Sequence, residues 1–154
     1  MKRSERLGLV LDLADKALKK AADVVESARQ QLLTEQQKLE DLEHYYNDYS
    51  HSFAETLAGI RAQDVARQRA FLGQLSDAQK QQQLIVNQRG QLVANKQKLW
   101  HLAYLKQRAI EQLIQRLQKD ETAALTRKEE KRLDEWSLQA SARKINREKS
   151  EPPR

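Results

Sequence analysis

The 154-residue chain has no cysteine, 4 glycines and 2 prolines, and only 5% of it is aromatic. Each shortage excludes something. Without cysteine there is no disulfide framework and no thiolate metal site, which fits a reducing compartment. A globule of this length needs many turns, and turns draw on clusters of Gly, Pro, Asn and Asp that are scarce here. Both prolines, Pro152 and Pro153, stand at the end. Long apolar runs are missing too. The opening MKRSERLGLVLDLADKALKK sets basic residues before an apolar stretch, but Asp12 and Asp15 interrupt it. The stretch is too short and charged to span a bilayer, and no small-residue cleavage site follows it. The expectation is a soluble, cytoplasmic chain.

What is present is helix-forming. Ala, Leu, Glu, Lys, Gln and Arg dominate, with 32% of residues charged and 39% hydrophobic. Alternating steps of four and three from Leu7 to Phe53 land on an apolar or aromatic residue at thirteen of fourteen positions, Glu35 being the exception. Sustained heptads of this kind mark a coiled coil. They predict a first helix over about 4–58, on the order of 75 Å long, with Ser4 as its N-cap. The pattern falters at LAGIRAQD, where Gly59 can turn the chain in the left-handed conformation and Asp64 can cap the next helix. A turn over about 59–64 and a second helix over about 65–146 follow, with residues 147–154 as a flexible tail.

The second helix has a broader stripe: Phe71, Leu75, Ala78, Gln82, Ile85, Arg89, Leu92, Lys96, Leu99, Ala103, Lys106, Ile110, Leu113 and Leu117. Leu72, Val86, Val93, Trp100 and Ile114 adjoin it and widen the face. The predicted fold is all-α, a long antiparallel two-helix coiled-coil hairpin forming a single domain, in which residue i faces roughly 122 − i. Residues beyond about 118 then overhang the first helix. Charge supports the pairing. Residues 1–60 carry 8 Lys/Arg against 11 Asp/Glu, whereas residues 61–126 carry 11 against 5, so the two segments attract.

No catalytic arrangement emerges. There is no Gly-rich phosphate loop, no zinc-binding His pair at helical spacing and no nucleophile elbow. His44 and His51 are seven apart, where a helical metal pair is four apart, and solvated surface histidines explain them. A two-helix hairpin also offers little concave surface for chemistry. No enzyme, no cofactor and no small-molecule substrate are expected. Lys and Arg are interspersed with Gln and Glu instead of forming a stripe, and the aromatics cluster in the acidic first helix. That is the pattern of a solvated face, so no nucleic-acid partner is expected, although a nucleic-acid-binding hairpin is the less favoured alternative.

One cluster stands out. Three of the four tyrosines, Tyr45, Tyr46 and Tyr49, lie in HYYNDYS. Tyr46 and Tyr49 fall on the seam, and packing explains them. Tyr45 is one step off it, and the fold-back places Leu42, Tyr45 and Tyr49 beside Phe71, Leu75 and Ala78. From the residues alone this patch is either packing or an interface.

The runs LEDLEHYYNDY (39–49), FLGQLSDAQ (71–79) and above all RKEEKRLDEWSLQASARK (127–144) resemble the flagellar export protein family FliJ. The resemblance extends over nearly the whole chain. It implies a non-enzymatic antiparallel coiled coil shaped like the central stalk of rotary ATP synthases, working in flagellum biogenesis and type III protein export. It further implies three partners: the flagellar export ATPase hexamer, whose ring assembly such proteins promote, the cytoplasmic domain of the membrane export gate, and export escort chaperones. The implied location is the cytoplasm, peripherally at the membrane face of the flagellar base. The gate-binding patch carries over onto Leu42, Tyr45, Tyr49, Phe71, Leu75 and Ala78. The chain departs from the family pattern at Lys38, where Gln is usual, and at Gln82, where His occurs. The stalk analogy assigns the ATPase end to the overhang around Leu133, Asp134, Glu135 and Trp136. Outside this resemblance, the alternative is a generic cytoplasmic coiled-coil scaffold or tether.

Overall fold

The computed structural model describes residues 2–150. Among them are two α-helices, α1 (Arg3–Thr56) and α2 (Ala62–Ser150), and no strand. The two pack against each other, as the expectation of an all-α helical hairpin requires. Packing divides into two compact units. One, Ala14–Lys106, contains the turn and the helical segments on either side of it; the other combines α1 through Leu13 with α2 from Gln107 onward.

Gly59 adopts φ of 121°, the left-handed region that only glycine enters without strain. This turns the chain, while the Thr56 hydroxyl donates to the Ser52 and Phe53 carbonyls at 2.9 and 3.3 Å, meeting one of the four orphan carbonyls at the end of α1. Both expected caps fall elsewhere. The Lys2 carbonyl accepts the first helical bonds, from the Glu5 and Arg6 amides at 3.1 and 3.2 Å, so Lys2 is the N-cap of α1. The Glu5 carboxylate returns to the Lys2 amide at 3.3 Å, half of a capping box. Ser4 is instead buried, at 6% exposure. Glu121 accepts both its hydroxyl, at 2.7 Å, and its amide, at 3.3 Å. A carboxylate from α2 thus satisfies an orphan donor of α1. Likewise Arg61, whose carbonyl accepts the Asp64 and Val65 amides at 3.0 and 3.1 Å, precedes α2, and Asp64 sits within the first turn.

The seam of α1 is the one the heptads predict: every position from Leu7 to Phe53 in steps of four and three is buried or partly buried, Glu35 included. On α2 the expected stripe is met at ten of its fourteen positions and missed at four. Phe71, Leu75, Ala78, Gln82, Arg89, Leu92, Lys96, Ala103, Ile110 and Leu117 turn inward as expected, and Val86, Val93, Gln107 and Ile114 join them from beside the stripe. Ile85, Leu99, Lys106 and Leu113 are exposed. The sequence offers apolar doublets at 85–86, 92–93, 99–100 and 113–114; the first and last each turn one residue inward and one outward, both members of 92–93 are at least partly buried, and both members of 99–100 are exposed. The overhang also begins later than about 118, because Glu121 and Ala123 are still partly covered; residues 124–150 are exposed throughout. Residues 147–150, expected in the tail, continue α2, since nothing in Arg147–Ser150 interrupts a helix. Glu151 to Arg154 lie outside the described residues.

Among the described residues the buried apolar set is thin, Ala14, Val25, Ala28, Val93 and Ile114, beside the polar Ser4 and Gln82, and no side chain is fully buried. Two helices can cover each other only along one seam, so much apolar surface stays open.

Candidate functional site

Within the Ala14–Lys106 unit, the residues expected at the gate-binding patch separate into packing and display. The rings of Tyr49 and Phe71 meet at 4.6 Å between centroids with planes 56° apart, a tilted aromatic pair. Both are partly buried, as are Leu42, Tyr46, Leu75 and Ala78. The Leu42 carbonyl accepts the Gln79 side-chain amide at 3.2 Å, tying α1 to α2 at the same level. Tyr45 differs from its neighbours: one step off the seam, it is 58% exposed. The structure therefore brings Tyr49 and Phe71 together and leaves Tyr45 presented to solvent.

A polar layer lies next to the patch. The Gln82 amide nitrogen donates to the Glu35 carbonyl at 2.9 Å and to its carboxylate at 2.6 Å, and Gln82 is 9% exposed. Lys38 donates to the same carboxylate at 3.2 Å. Hydrogen bonding to the charged form lowers a carboxyl's proton affinity. The Glu35 carboxyl accordingly lies below its ordinary range, because of the Gln82 bond first and then the Lys38 bond, with the Lys38 and Arg89 charges adding to these. One further step along, Arg89 donates to Gln31 at 3.1 Å. Lys38 and Gln82 are thus engaged with one carboxylate of the seam.

The overhang residues belong to the other unit. Leu133 and Trp136 are 65% and 69% exposed, and Asp134 and Glu135 between them are exposed as well. Leu138 at 71% and Ile145 at 52% extend the apolar surface. Trp136, Gln139, Ala140, Arg143, Lys144 and Arg147 line a shallow hollow along this helix, pairing an indole with three cations. Residues 124–150 of α2 thus leave their apolar side chains open to solvent.

Sequence reasoning missed a third exposed surface, on α2 around WHLAYL. Leu99, Leu102 and Leu105 are 55%, 62% and 49% exposed, and Trp100 stacks on Tyr104 at 5.6 Å. The signal was the run of apolar residues at consecutive positions, more than one helix face can bury. Among the described residues no group of three or more His, Asp or Glu converges to hold a metal, and no helix is long and apolar enough to cross a membrane.

A family model described as flagellar FliJ protein matches residues 2–146. No curated protein and no solved structure matches the chain. The matched span includes α1, the tyrosine cluster and α2 through residue 146, four residues short of its end. The chain therefore belongs to the flagellar FliJ protein family, and its role lies in flagellum biogenesis and protein export.

Proposed function

We propose that this chain is a non-enzymatic coiled-coil stalk that couples the flagellar export ATPase to the membrane export gate. The surface around Tyr45 binds the cytoplasmic domain of the gate, and the overhang around Leu133 to Trp136 engages the ATPase hexamer and promotes its ring assembly. The chain also serves as a general export chaperone that receives escort chaperones. It works in the cytoplasm, peripherally at the membrane face of the flagellar base. The observation that carries this reading is the exposure of two unlike surfaces, Tyr45 in one unit and Trp136 in the other, on a chain whose family works in flagellar export.

The division suits a coupler. Tyrosine contributes a large, rigid contact with a polar tip, and such residues dominate interface energetics. The overhang joins apolar contacts to charges of both signs, which fits the rim and seam of a helical partner. The test is to add purified chain to the cognate export ATPase. Oligomerisation and ATP turnover should both rise, and a chain ending before Arg127 should produce neither effect. An ATPase indifferent to the full chain would overturn the reading.

A further inference from the structure

Within the Ala14–Lys106 unit, α2 carries two overlapping apolar seams. The observed one runs through Val86 and Val93, with Val93 only 8% exposed, and leaves Ile85 and Leu99 at 37% and 55%. The other runs through Ile85, Leu92 and Leu99. Both share Gln82, Arg89 and Lys96. Consecutive residues of a helix stand about 100° apart, so a roll of α2 by about 50° about its own axis exchanges one seam for the other. Leu92 is partly buried beside Val93, and Trp100, at 36%, is exposed as Leu99 is, so the apolar doublets hold candidates for either seam and burial alone does not select between them.

Gln82 and Arg89 stand in both seams, but a roll of about 50° carries the outer ends of their side chains across the seam, away from acceptors fixed on α1, so their contacts distinguish the two settings. Gln82 reaches the Glu35 carbonyl and carboxylate, Arg89 reaches Gln31 and Gln79 reaches the Leu42 carbonyl. In each case the donor stands on α2 and the acceptor on α1. A side-chain amide as buried as Gln82 loses much if its partners move away, because the stranded donor has no water to replace them. Buried polar residues in helical seams are best known for fixing one arrangement among several of similar energy.

We infer that α2 has two rotational settings in this unit, and that the Gln82–Glu35 contact, supported by Arg89–Gln31, pins the observed one. The pin decides which apolar stripe the hairpin shows to solvent. In the observed setting the stripe contains Ile85 and Leu99; in the other these withdraw and Val93 emerges. Toward the turn the two seams converge, since Phe71 and Leu72 are both partly buried, as are Ala78 and Gln79.

The absence of native cysteine makes the test direct. Val93→Cys and Leu99→Cys are introduced separately into the native chain and into a Glu35→Leu, Gln82→Leu background, and thiol-labelling rates are compared with helicity checked by circular dichroism. Replacing both polar partners by apolar residues leaves no stranded group, so the background should fold. With the pin removed, labelling at Val93→Cys should accelerate by roughly tenfold and labelling at Leu99→Cys should slow several-fold. Gln82→Glu, which sets two carboxylates against each other, provides a second route and should shift both rates in the same directions. Unchanged rates overturn the inference. So does acceleration at both sites together, which would mean that the helices merely loosen.

Discussion

Replacing Ile114 by alanine and, separately, its neighbour Leu113 by alanine distinguishes the observed seam of α2 from the one expected from sequence. The two residues are adjacent on one helix and alike in size, but Ile114 is 8% exposed and Leu113 is 44% exposed. Truncating a buried isoleucine typically costs about 2–5 kcal/mol, from lost transfer free energy plus the cavity left behind. A seam between two helices is open along its edges, so the gap closes readily and the low end applies. Alanine's better helix propensity returns a few tenths of a kcal/mol, at most about 0.5. The net expectation for Ile114→Ala is a loss of about 2 kcal/mol. At Leu113 much of the side chain is already in water, and the loss should stay below about 1 kcal/mol. Urea unfolding followed by far-ultraviolet circular dichroism gives both values, and native-state hydrogen exchange within 107–123 localises them. Equal losses, or a larger one at Leu113, would refute the seam assignment.

Glu121→Ala strands the buried Ser4 hydroxyl and amide at the start of α1, and should cost about 1 kcal/mol with faster hydrogen exchange in the first turn; unchanged exchange there would mean that Glu121 does not cap the helix. Glu35 supplies a pH signature. Its folded-state affinity for protons is lowered, so its contribution is present above the ordinary carboxylate range and is lost as pH falls through its depressed value. Stability of the native chain should therefore fall more steeply through the acid range than that of Glu35→Gln, and parallel curves would contradict the role given to Gln82 and Lys38.

How legible each part was depended on how many solutions the local sequence allowed. The heptads of α1 have one apolar solution, so all of its seam positions could be read directly, and the polar Glu35 fell where Gln82 needs an acceptor. On α2 the apolar doublets allow two solutions, and the choice rests on contacts with residues 47 and 58 positions away in the chain. No local pattern encodes those. Gly59 was legible because a reversal between long helices needs a left-handed residue. Ser4 was misread because its partner, Glu121, lies 117 residues further on, and a Ser near a helix start reads as a cap in the absence of anything else. At the patch, the heptad phase alone separates Tyr45 from Tyr46 and Tyr49, and the fold adds that Phe71 pairs with Tyr49. Tyr45 is consequently the cleaner probe of binding, since truncating Phe71 also removes packing.

The coupling role is tested most directly by separating its two surfaces in a single set of binding measurements. Native chain, Tyr45→Ala and Trp136→Ala are each titrated into the cytoplasmic domain of the export gate and, separately, into the export ATPase, with helicity confirmed for all three. Tyr45→Ala should weaken gate binding by about 2 kcal/mol, roughly thirtyfold, and leave ATPase binding intact, while Trp136→Ala should do the reverse. If both substitutions weakened both partners alike, or neither weakened either, the two-surface coupler would be contradicted.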